Sequence, residues 1–415
     1  MPFIPGVRFR ASGDFNSNGN SDFVWTDRGE SLGAWEYDPV GQTVSSTFLT
    51  PPSAFADWTI YGSAHFSNAN GSNLAFDQML MKAPNGVMTL QWLSGSVYTG
   101  INIIGAAQDN SAHSNPPALW QNINYISAGQ FTNNGAVNFL VSDANNHLLD
   151  WNIDSTYRLQ GVDLTATSGQ TWANKAFVGA GDFIENGVTN FLVHNTPDGH
   201  LYDWFITPEN KLGGVDLTAA SGQNWINKQL IAVGNFDDRA PVGHNQWLVR
   251  VNDPNSPLHN HILEWWITPQ STLAGIDLSA PNNPSLPKTL WSDNYELVTV
   301  GHFDNNANGE VQLLVRNLSN QHLLEWWITP DGAITGIDLT QNSDNAIPTN
   351  VQFLGNRHYN DANGSVRNDE LLMRNTDDGN FYEWWTADGP NGKTIITGVQ
   401  LTDPPTSAEF DWLLV

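Results

Sequence analysis

The sequence contains no cysteine, few basic residues and no long apolar run, and each absence excludes a class of protein. Without cysteine there is neither a disulfide framework nor a thiolate nucleophile. The 16 Lys and Arg residues are outnumbered by 42 Asp and Glu, and the formal net charge of -26 repels phosphate backbones and anionic lipid surfaces. The sequence contains no run of about 18 apolar residues, so no membrane-spanning helix is predicted. We therefore predict neither nucleic-acid binding nor membrane insertion.

The two ends of the chain bear on its location. Residues 1–6 lack the basic and apolar regions that a signal peptide combines, so no signal peptide is predicted. The expected location is the extracellular space, reached by a leaderless route, or the cytoplasm. The last residues, 411–415, pair an acid with apolar residues as in leaderless bacterial exported proteins. A strand that closes the fold would use the same residues, so both interpretations stay open.

Tryptophan is abundant, with 18 residues, and much of it lies in a repeated motif. Residues 325–330 read Glu-Trp-Trp-Ile-Thr-Pro, and close copies occur at 264–269 and 203–208. Weaker copies bring the number to seven and lie at Ala34-Trp35, Gln91-Trp92, Asp150-Trp151 and Glu383-Trp384. A sequence repeat of this kind defines the architecture of a protein.

Two further motifs recur around the tryptophan motif. A Gly-x-Phe motif precedes it, as at 301–303, and a Gly-Ile/Val-Asp-Leu motif follows it, as at 336–339. The segments between them are short, β-branched or aromatic, and bounded by Asn, Asp, Gly and Pro, which is typical of strands and turns. In the sixth repeat we predict four strands, at 297–303, 311–317, 322–329 and 334–339, and almost no helix in the chain.

Four-stranded units repeated seven times predict an all-β fold, a seven-bladed β-propeller with antiparallel blades. A closed ring hides the sheet edges that an open row would expose, so we expect closure by pairing of the two termini, with 408–415 returning near 7–15. The whole chain, 1–415, is then one domain. Its repeats are expected at about 7–50, 51–105, 118–170, 171–223, 224–287, 288–348 and 349–415.

Residues 14–22, Asp-Phe-Asn-Ser-Asn-Gly-Asn-Ser-Asp, resemble the calcium loop of FG-GAP/VCBS-type repeats, which occur in integrin-like propellers. The resemblance implies the propeller fold, extracellular adhesion or recognition, and in some members lectin activity. Calcium requires six to eight oxygen ligands. The candidate ligands of a structural calcium ion are Asp14, Asn16, Asn18, Asn20 and Asp22. The alternative is an Asx-rich turn that its own side chains cap.

A second candidate site combines polar and aromatic residues of the repeats. Histidine stands three residues before the acid of the tryptophan motif in four consecutive repeats, at His147, His200, His261 and His322, and Asn380 takes the place in the last repeat. The first tryptophan shares a strand face with this position, at Trp151, Trp204, Trp265, Trp326 and Trp384. Basic residues nine positions before the acid, among them Arg316 and Arg374, are expected as its cross-strand partners. Purely structural roles, as turn histidine, inter-blade core and hairpin pair, are the alternatives.

The predicted function is carbohydrate binding by a lectin or adhesin, with repeated sites between blades on the rim of the two-three and four-one loops. Weak single sites on one rim would gain affinity through avidity. The expected partners are glycans or a glycoprotein surface. The first alternative is a protein-interaction scaffold, or a toxin or surface-assembly component, that uses long loops such as 106–117, 252–260 and 280–289. The second is a polysaccharide-active hydrolase or lyase. No catalytic motif supports an enzyme, so we predict none.

Overall fold

A computed structural model gives the fold, and its description covers most of the chain. The described residues are 8–15, 22–26, 32–38, 43–48, 57–66, 77–94, 97–103, 123–132, 137–154, 159–184, 188–241, 244–279, 291–303, 310–342, 350–357, 369–375, 380–388 and 394–400. The expected terminal closure through 408–415 and the loops 106–117 and 280–289 lie outside them.

The described strands form seven four-stranded antiparallel sheets, each made from four consecutive strands. The first two sheets contain β1 (Arg8–Gly13), β2 (Asp22–Thr26), β3 (Leu32–Asp38), β4 (Thr43–Phe48), β5 (Thr59–Ala64), β6 (Gln78–Lys82), β7 (Met88–Ser94) and β8 (Val97–Asn102). The third and fourth contain β9 (Asn124–Gly129), β10 (Asn138–Ser142), β11 (Leu148–Ile153), β12 (Leu159–Asp163), β13 (Lys175–Gly181), β14 (Asn190–Asn195), β15 (Leu201–Ile206) and β16 (Leu212–Asp216). The fifth and sixth contain β17 (Lys228–Gly234), β18 (Gln246–Val251), β19 (Ile262–Ile267), β20 (Leu273–Asp277), β21 (Tyr295–Gly301), β22 (Gln312–Asn317), β23 (Leu323–Ile328) and β24 (Ile334–Asp338). The last contains β25 (Val351–Arg357), β26 (Glu370–Asn375), β27 (Phe381–Asp388) and β28 (Thr394–Gln400).

Helix is scarce among the described residues, as the sequence predicts. The short helices that the structure describes follow fourth strands and are α1 (Leu164–Ser168), α2 (Leu217–Ser221) and α3 (Leu339–Asn342). Within the described part of the chain, none is long and apolar enough to cross a membrane. The strands predicted for the sixth repeat correspond to β21 to β24 with shifts of at most two residues.

The sheets are arranged as the blades of a β-propeller, with their first strands innermost. Each first strand contacts the first strand of the next sheet, from β1 through β5, β9, β13, β17 and β21 to β25, and β1 also contacts β25. Because β1 to β4 complete the first sheet, all four of its strands come from the N-terminal repeat.

The hydrophobic core lies between the sheets. The middle strands are buried on both faces, as the burial of every residue of β10 and β18 demonstrates. One cluster joins Leu140 and Leu148 of the third sheet to Phe191 and Trp204 of the fourth. Equivalent clusters join the other consecutive pairs from the first sheet to the seventh. Each sheet therefore depends on its neighbours to bury apolar surface.

The tryptophan motif and the following glycine fit each other across two strands. Trp151 lies opposite Gly161 in the register of β11 and β12. A Cβ atom on Gly161 would lie 2.2 Å from Cδ1 of that indole, so only glycine leaves room for the ring. The same pairing recurs at Gly214, Gly275, Gly336 and Gly398.

A backbone hydrogen bond links consecutive sheets at the Gly-x-Phe motif. The carbonyl of its middle residue accepts the N–H of the residue before the second strand of the next sheet, as between Asp182 and Asn245 at 2.6 Å. Asn245 also accepts the N–H of Asp182 through its side-chain oxygen at 2.7 Å. The other backbone bonds of this kind join Asp14 to Asp77, Gln130 to Thr189, Asn235 to Val311 and His302 to Asp369. We call this contact the inter-sheet clasp.

Removing the side-chain half of one clasp should destabilise the protein. We expect Asn245→Ala to lower the free energy of unfolding by about 1–2 kcal/mol, because the half-buried N–H of Asp182 loses its acceptor. Thr189→Ala is the matched control, since Thr189 contributes its backbone N–H to a clasp, and it should change stability by less than about 0.5 kcal/mol. Urea unfolding followed by tryptophan fluorescence measures both. Equal losses in the two variants would contradict a role for the side chain.

Candidate functional site

Four histidine–aspartate pairs recur on the rim where the third strands begin. The Nδ1 atoms of His200, His261 and His322 lie 2.8, 2.7 and 2.6 Å from an aspartate oxygen that stands sixteen residues later. His147 lies 3.4 Å from Asp163 and 3.1 Å from Asp143. The aspartate partners of the other three are Asp216, Asp277 and Asp338. We call these four the rim His–Asp pairs.

Strand pairing and helix capping together position each pair. Tyr202 pairs with Asp216, which brings the end of the fourth strand beside the start of the third. One oxygen of Asp216 accepts the N–H of Ala219 in α2 at 2.9 Å, and the other contacts the imidazole of His200. The hydroxyl of Thr218 also accepts the N–H of Leu201 at 2.8 Å. Aspartate is a good N-cap residue, so the same carboxylate holds the short helix and the histidine.

Three of the four imidazoles remain accessible to a ligand. The side chains of His147, His200 and His322 are 38, 36 and 32% exposed, whereas that of His261 is 13% exposed. The hydrogen bond to Asp216 raises the pKa of His200 above its ordinary value. Since Nδ1–H donates to the carboxylate, the neutral ring offers Nε2 as an acceptor.

Three of the four imidazoles thus bond to an aspartate side chain, and their role in ligand binding stays a prediction. Asn380 of the last repeat occupies the corresponding place, and its backbone carbonyl accepts the N–H of Asn375 at 2.8 Å. Sequence reasoning noted the histidines and the Gly-x-Asp-Leu aspartates separately and did not pair them. Their constant separation in four repeats was the signal that could have done so.

The motif tryptophans belong to the core, as their structural interpretation predicts. Their exposed fractions are 3–8%, so their rings offer no free face for stacking on a sugar; these are Trp151, Trp204, Trp265, Trp326 and Trp384. Their inclusion among the ligand-binding residues is therefore corrected. Sequence reasoning missed the loop tryptophans Trp172, Trp225 and Trp291, which are buried and lie about 6 Å, at 6.0, 6.0 and 5.9 Å, from motif tryptophans of the next sheet.

The expected pairs between basic residues and motif acids are wrong in register. Leu314, not Arg316, pairs with Glu325, and Leu372, not Arg374, pairs with Glu383. Arg316 instead donates to Gln321 in the two-three turn. Arg374 is only 7% exposed, and burial lowers its pKa. The expected cross-strand pairs that had placed both arginines in the candidate site therefore do not form.

The motif acids form a second class of polar group, buried between sheets. Asp150 and Asp203 are 6% and 1% exposed, and each accepts a hydrogen bond from an asparagine, Asn138 at 2.9 Å and Asn190 at 3.0 Å. Burial raises the pKa of each to about 7, and the asparagine hydrogen bond lowers it less. Asp150 lines a cleft of about 710 Å³ between the third and fourth sheets.

The predicted calcium loop is described only at its ends. Asn16, Asn18 and Asn20 lie outside the described residues. Asp22 is buried, and one of its oxygens accepts the N–H of Phe15 at 2.9 Å. Gln246 and Gln312 accept the corresponding N–H groups of Phe236 and Phe303 in other repeats. Asp22 therefore has a structural role, the acceptance of this backbone N–H, which glutamine side chains have in other repeats. Within the described part of the chain, no three His, Cys, Asp or Glu residues cluster to hold a metal ion.

Comparison with known proteins does not assign the chain to a family. No protein-family model matches the chain, and no curated protein matches its sequence. The class of the protein is therefore defined by its fold, a β-propeller.

The raised pKa of Asp203 predicts a pH-dependent contribution to stability. A carboxyl whose folded pKa is raised stabilises the fold below about pH 4, and this contribution is lost as the pH rises through about 7. The stability of the wild type relative to Asp203→Asn should therefore fall by on the order of 4 kcal/mol between these limits. Urea unfolding at several pH values measures this difference.

Asp331→Asn, which alters an exposed turn residue, is the control for that series. Its stability relative to the wild type should vary much less with pH. A difference between wild type and Asp203→Asn that stays constant across the range would show that burial does not perturb this carboxyl.

Proposed function

We propose that the protein binds carbohydrate through repeated sites on the rim that carries the rim His–Asp pairs. The observation that supports this most is the repetition, in four consecutive sheets, of an imidazole beside an aspartate carboxylate, with about a third of the imidazole exposed in three of the four. An Nε2 acceptor of fixed orientation suits a sugar hydroxyl. At His200 the ring of Tyr202 lies 6.2 Å away and adds an apolar contact beside it.

Repetition around a ring would make these sites cooperate in avidity. We infer that the propeller has seven blades and is closed, which is supported by the seven sheets and by the contact of β1 with β25. Sites carried by consecutive blades face the same side of the molecule. A glycan-coated surface could then engage several weak sites at once, and such linkage raises overall affinity by orders of magnitude.

The two alternative functions, a protein-interaction scaffold and an enzyme, differ from carbohydrate binding in what each predicts. A protein-interaction scaffold is favoured by the exposed side chains of Ile226, Leu258 and Leu318, which lie in loops on the same rim. A polysaccharide-active enzyme would shorten a bound glycan, whereas a lectin or adhesin releases it unchanged. Extracellular action after leaderless export fits adhesion, and cytoplasmic location fits the scaffold.

A glycan array followed by titration tests the proposal. We expect multivalent glycans to bind, and replacement of His147, His200, His261 and His322 by Ala to weaken binding to a glycan-coated surface by at least about tenfold. His322→Ala alone should preserve stability within about 1 kcal/mol, since Asp338 still accepts the N–H of Gln341 in α3. His259→Ala, on the same rim outside the four pairs, is the control. Unchanged binding by the fourfold variant would overturn the proposal, and shortened glycan products would favour the enzyme.

We also propose that calcium stabilises the first loop, through Asp14 and Asp22 with the asparagines between them. Two carboxylates predict weak affinity, so millimolar calcium should raise the midpoint of thermal unfolding relative to EDTA. A tenfold excess over the dissociation constant corresponds to about 1.4 kcal/mol. Asp14→Asn should abolish the increase while leaving the clasp to Asp77, which uses the backbone of Asp14. An identical increase in wild type and Asp14→Asn would place calcium elsewhere.

A further inference from the structure

The cleft between the third and fourth sheets contains an unsatisfied acceptor. Oδ2 of Asp150 accepts a hydrogen bond from Asn138, whereas its buried Oδ1 has no hydrogen-bond partner among the described residues. An unpaired buried polar atom is costly. The described residues that line the cleft also include Thr207 and Pro208 of the fourth sheet, but no Lys, Arg or His. The cleft thus presents negative charge without a positive partner from its described lining.

The corresponding position between the fifth and sixth sheets is occupied by an arginine side chain. Glu264 is the counterpart of Asp150, since each is the third residue of a third strand and pairs with a leucine of the second. The guanidinium of Arg239 lies 3.4 Å from Oε2 of Glu264 and donates to the carbonyl of Pro330 at 2.7 Å. It also forms an ion pair with Asp237. One guanidinium therefore spans from the buried acid of one sheet to the three-four turn of the next.

The repeats place the same acceptors around the cleft between the third and fourth sheets. Thr207-Pro208 follow β15 as Thr329-Pro330 follow β23, so Pro208 corresponds to Pro330. Arg239 stands five residues after the glycine of its Gly-x-Phe motif, and the third repeat has Asn134 at that count from Gly129. Asparagine has neither the positive charge nor the length of arginine. The third sheet therefore retains the acid and the fourth sheet the turn, but no arginine stands at the corresponding count after Gly129.

We propose that the cleft between the third and fourth sheets binds a guanidinium group from another molecule, in the position that Arg239 fills between the fifth and sixth sheets. Arginine suits two separated acceptors because its planar fork donates in several directions, whereas lysine is a point charge. The net charge of -26 also attracts cationic ligands. This site opens between the sheets and is distinct from the rim His–Asp pairs.

Calorimetric titration with N-acetyl-L-arginine amide tests the proposal. At about pH 8 most Asp150 carboxyls, with a pKa of about 7, are ionised. We expect one equivalent to bind with a dissociation constant on the order of millimolar. The neutral citrulline amide and the lysine amide should each bind at least about tenfold more weakly.

Two aspartate variants locate the site. Asp150→Asn should weaken binding at least about tenfold, because a charge-assisted hydrogen bond is lost. Asp203→Asn is the matched control, since Asp203 is an equally buried acid whose two oxygens both accept from Asn190, and it should bind as the wild type does. Thermal unfolding verifies that each variant is folded. No saturation up to about 20 mM, equal binding of the citrulline amide, or unchanged binding by Asp150→Asn would overturn the proposal.

A gain-of-site variant and a peptide complete the test. Arg239→Ala empties the second position, so the same probe should bind with two equivalents instead of one. One equivalent in folded Arg239→Ala would overturn the correspondence between the two positions, and if the variant does not fold, the aspartate variants decide.

A neutral peptide with a single arginine identifies the source of the guanidinium group. Tighter binding than the amide assigns the guanidinium to a protein partner, and equal binding assigns it to a small molecule.

Discussion

The structure depends on the burial of the tryptophan-bearing faces of the third to seventh sheets, each against the sheet before it. Middle strands are buried on both faces, so an isolated sheet would expose an apolar surface on either side. The indole of Trp204 packs among residues of the third sheet, and Gly214 leaves the room that the ring needs. This packing explains why tryptophan and glycine recur in the sequence together. The clasps at the Gly-x-Phe motifs then link five of the consecutive pairs of sheets with backbone hydrogen bonds.

Because the sheet faces are buried by packing, the polar groups that could bind a ligand lie in the loops and at the edges of the interfaces. The rim His–Asp pairs lie at one end of the strands, where a single aspartate caps a helix and orients an imidazole. The interfaces between sheets share one backbone arrangement but differ in the polar side chains that they contain. Glu264 meets Arg239 from its own chain, whereas Asp150 keeps an oxygen without a partner among the described residues. A repeated scaffold thus carries unequal sites.

The sequence was sufficient for the repeat, the strands and the core role of the tryptophans, because these depend on local periodicity and turn chemistry. It failed for the arginine–acid pairs, since spacing alone does not specify the hairpin register that places Leu314 opposite Glu325. The rim His–Asp pairs were half visible as two motifs with constant separation. The clasps and the Arg239 contact were not predictable, because they join different repeats through loops whose lengths vary.

The central claim is that consecutive sheet interfaces continue around a closed ring, which places the repeated sites on one rim. The chain has no cysteine, so spin labels can be attached at single introduced cysteines, Ser12→Cys in β1 and Gln352→Cys in β25. Double electron–electron resonance measures their separation. A closed ring predicts one narrow distribution below about 25 Å, since neighbouring sheets pack about 10 Å apart. A broad distribution centred well beyond that distance would contradict closure.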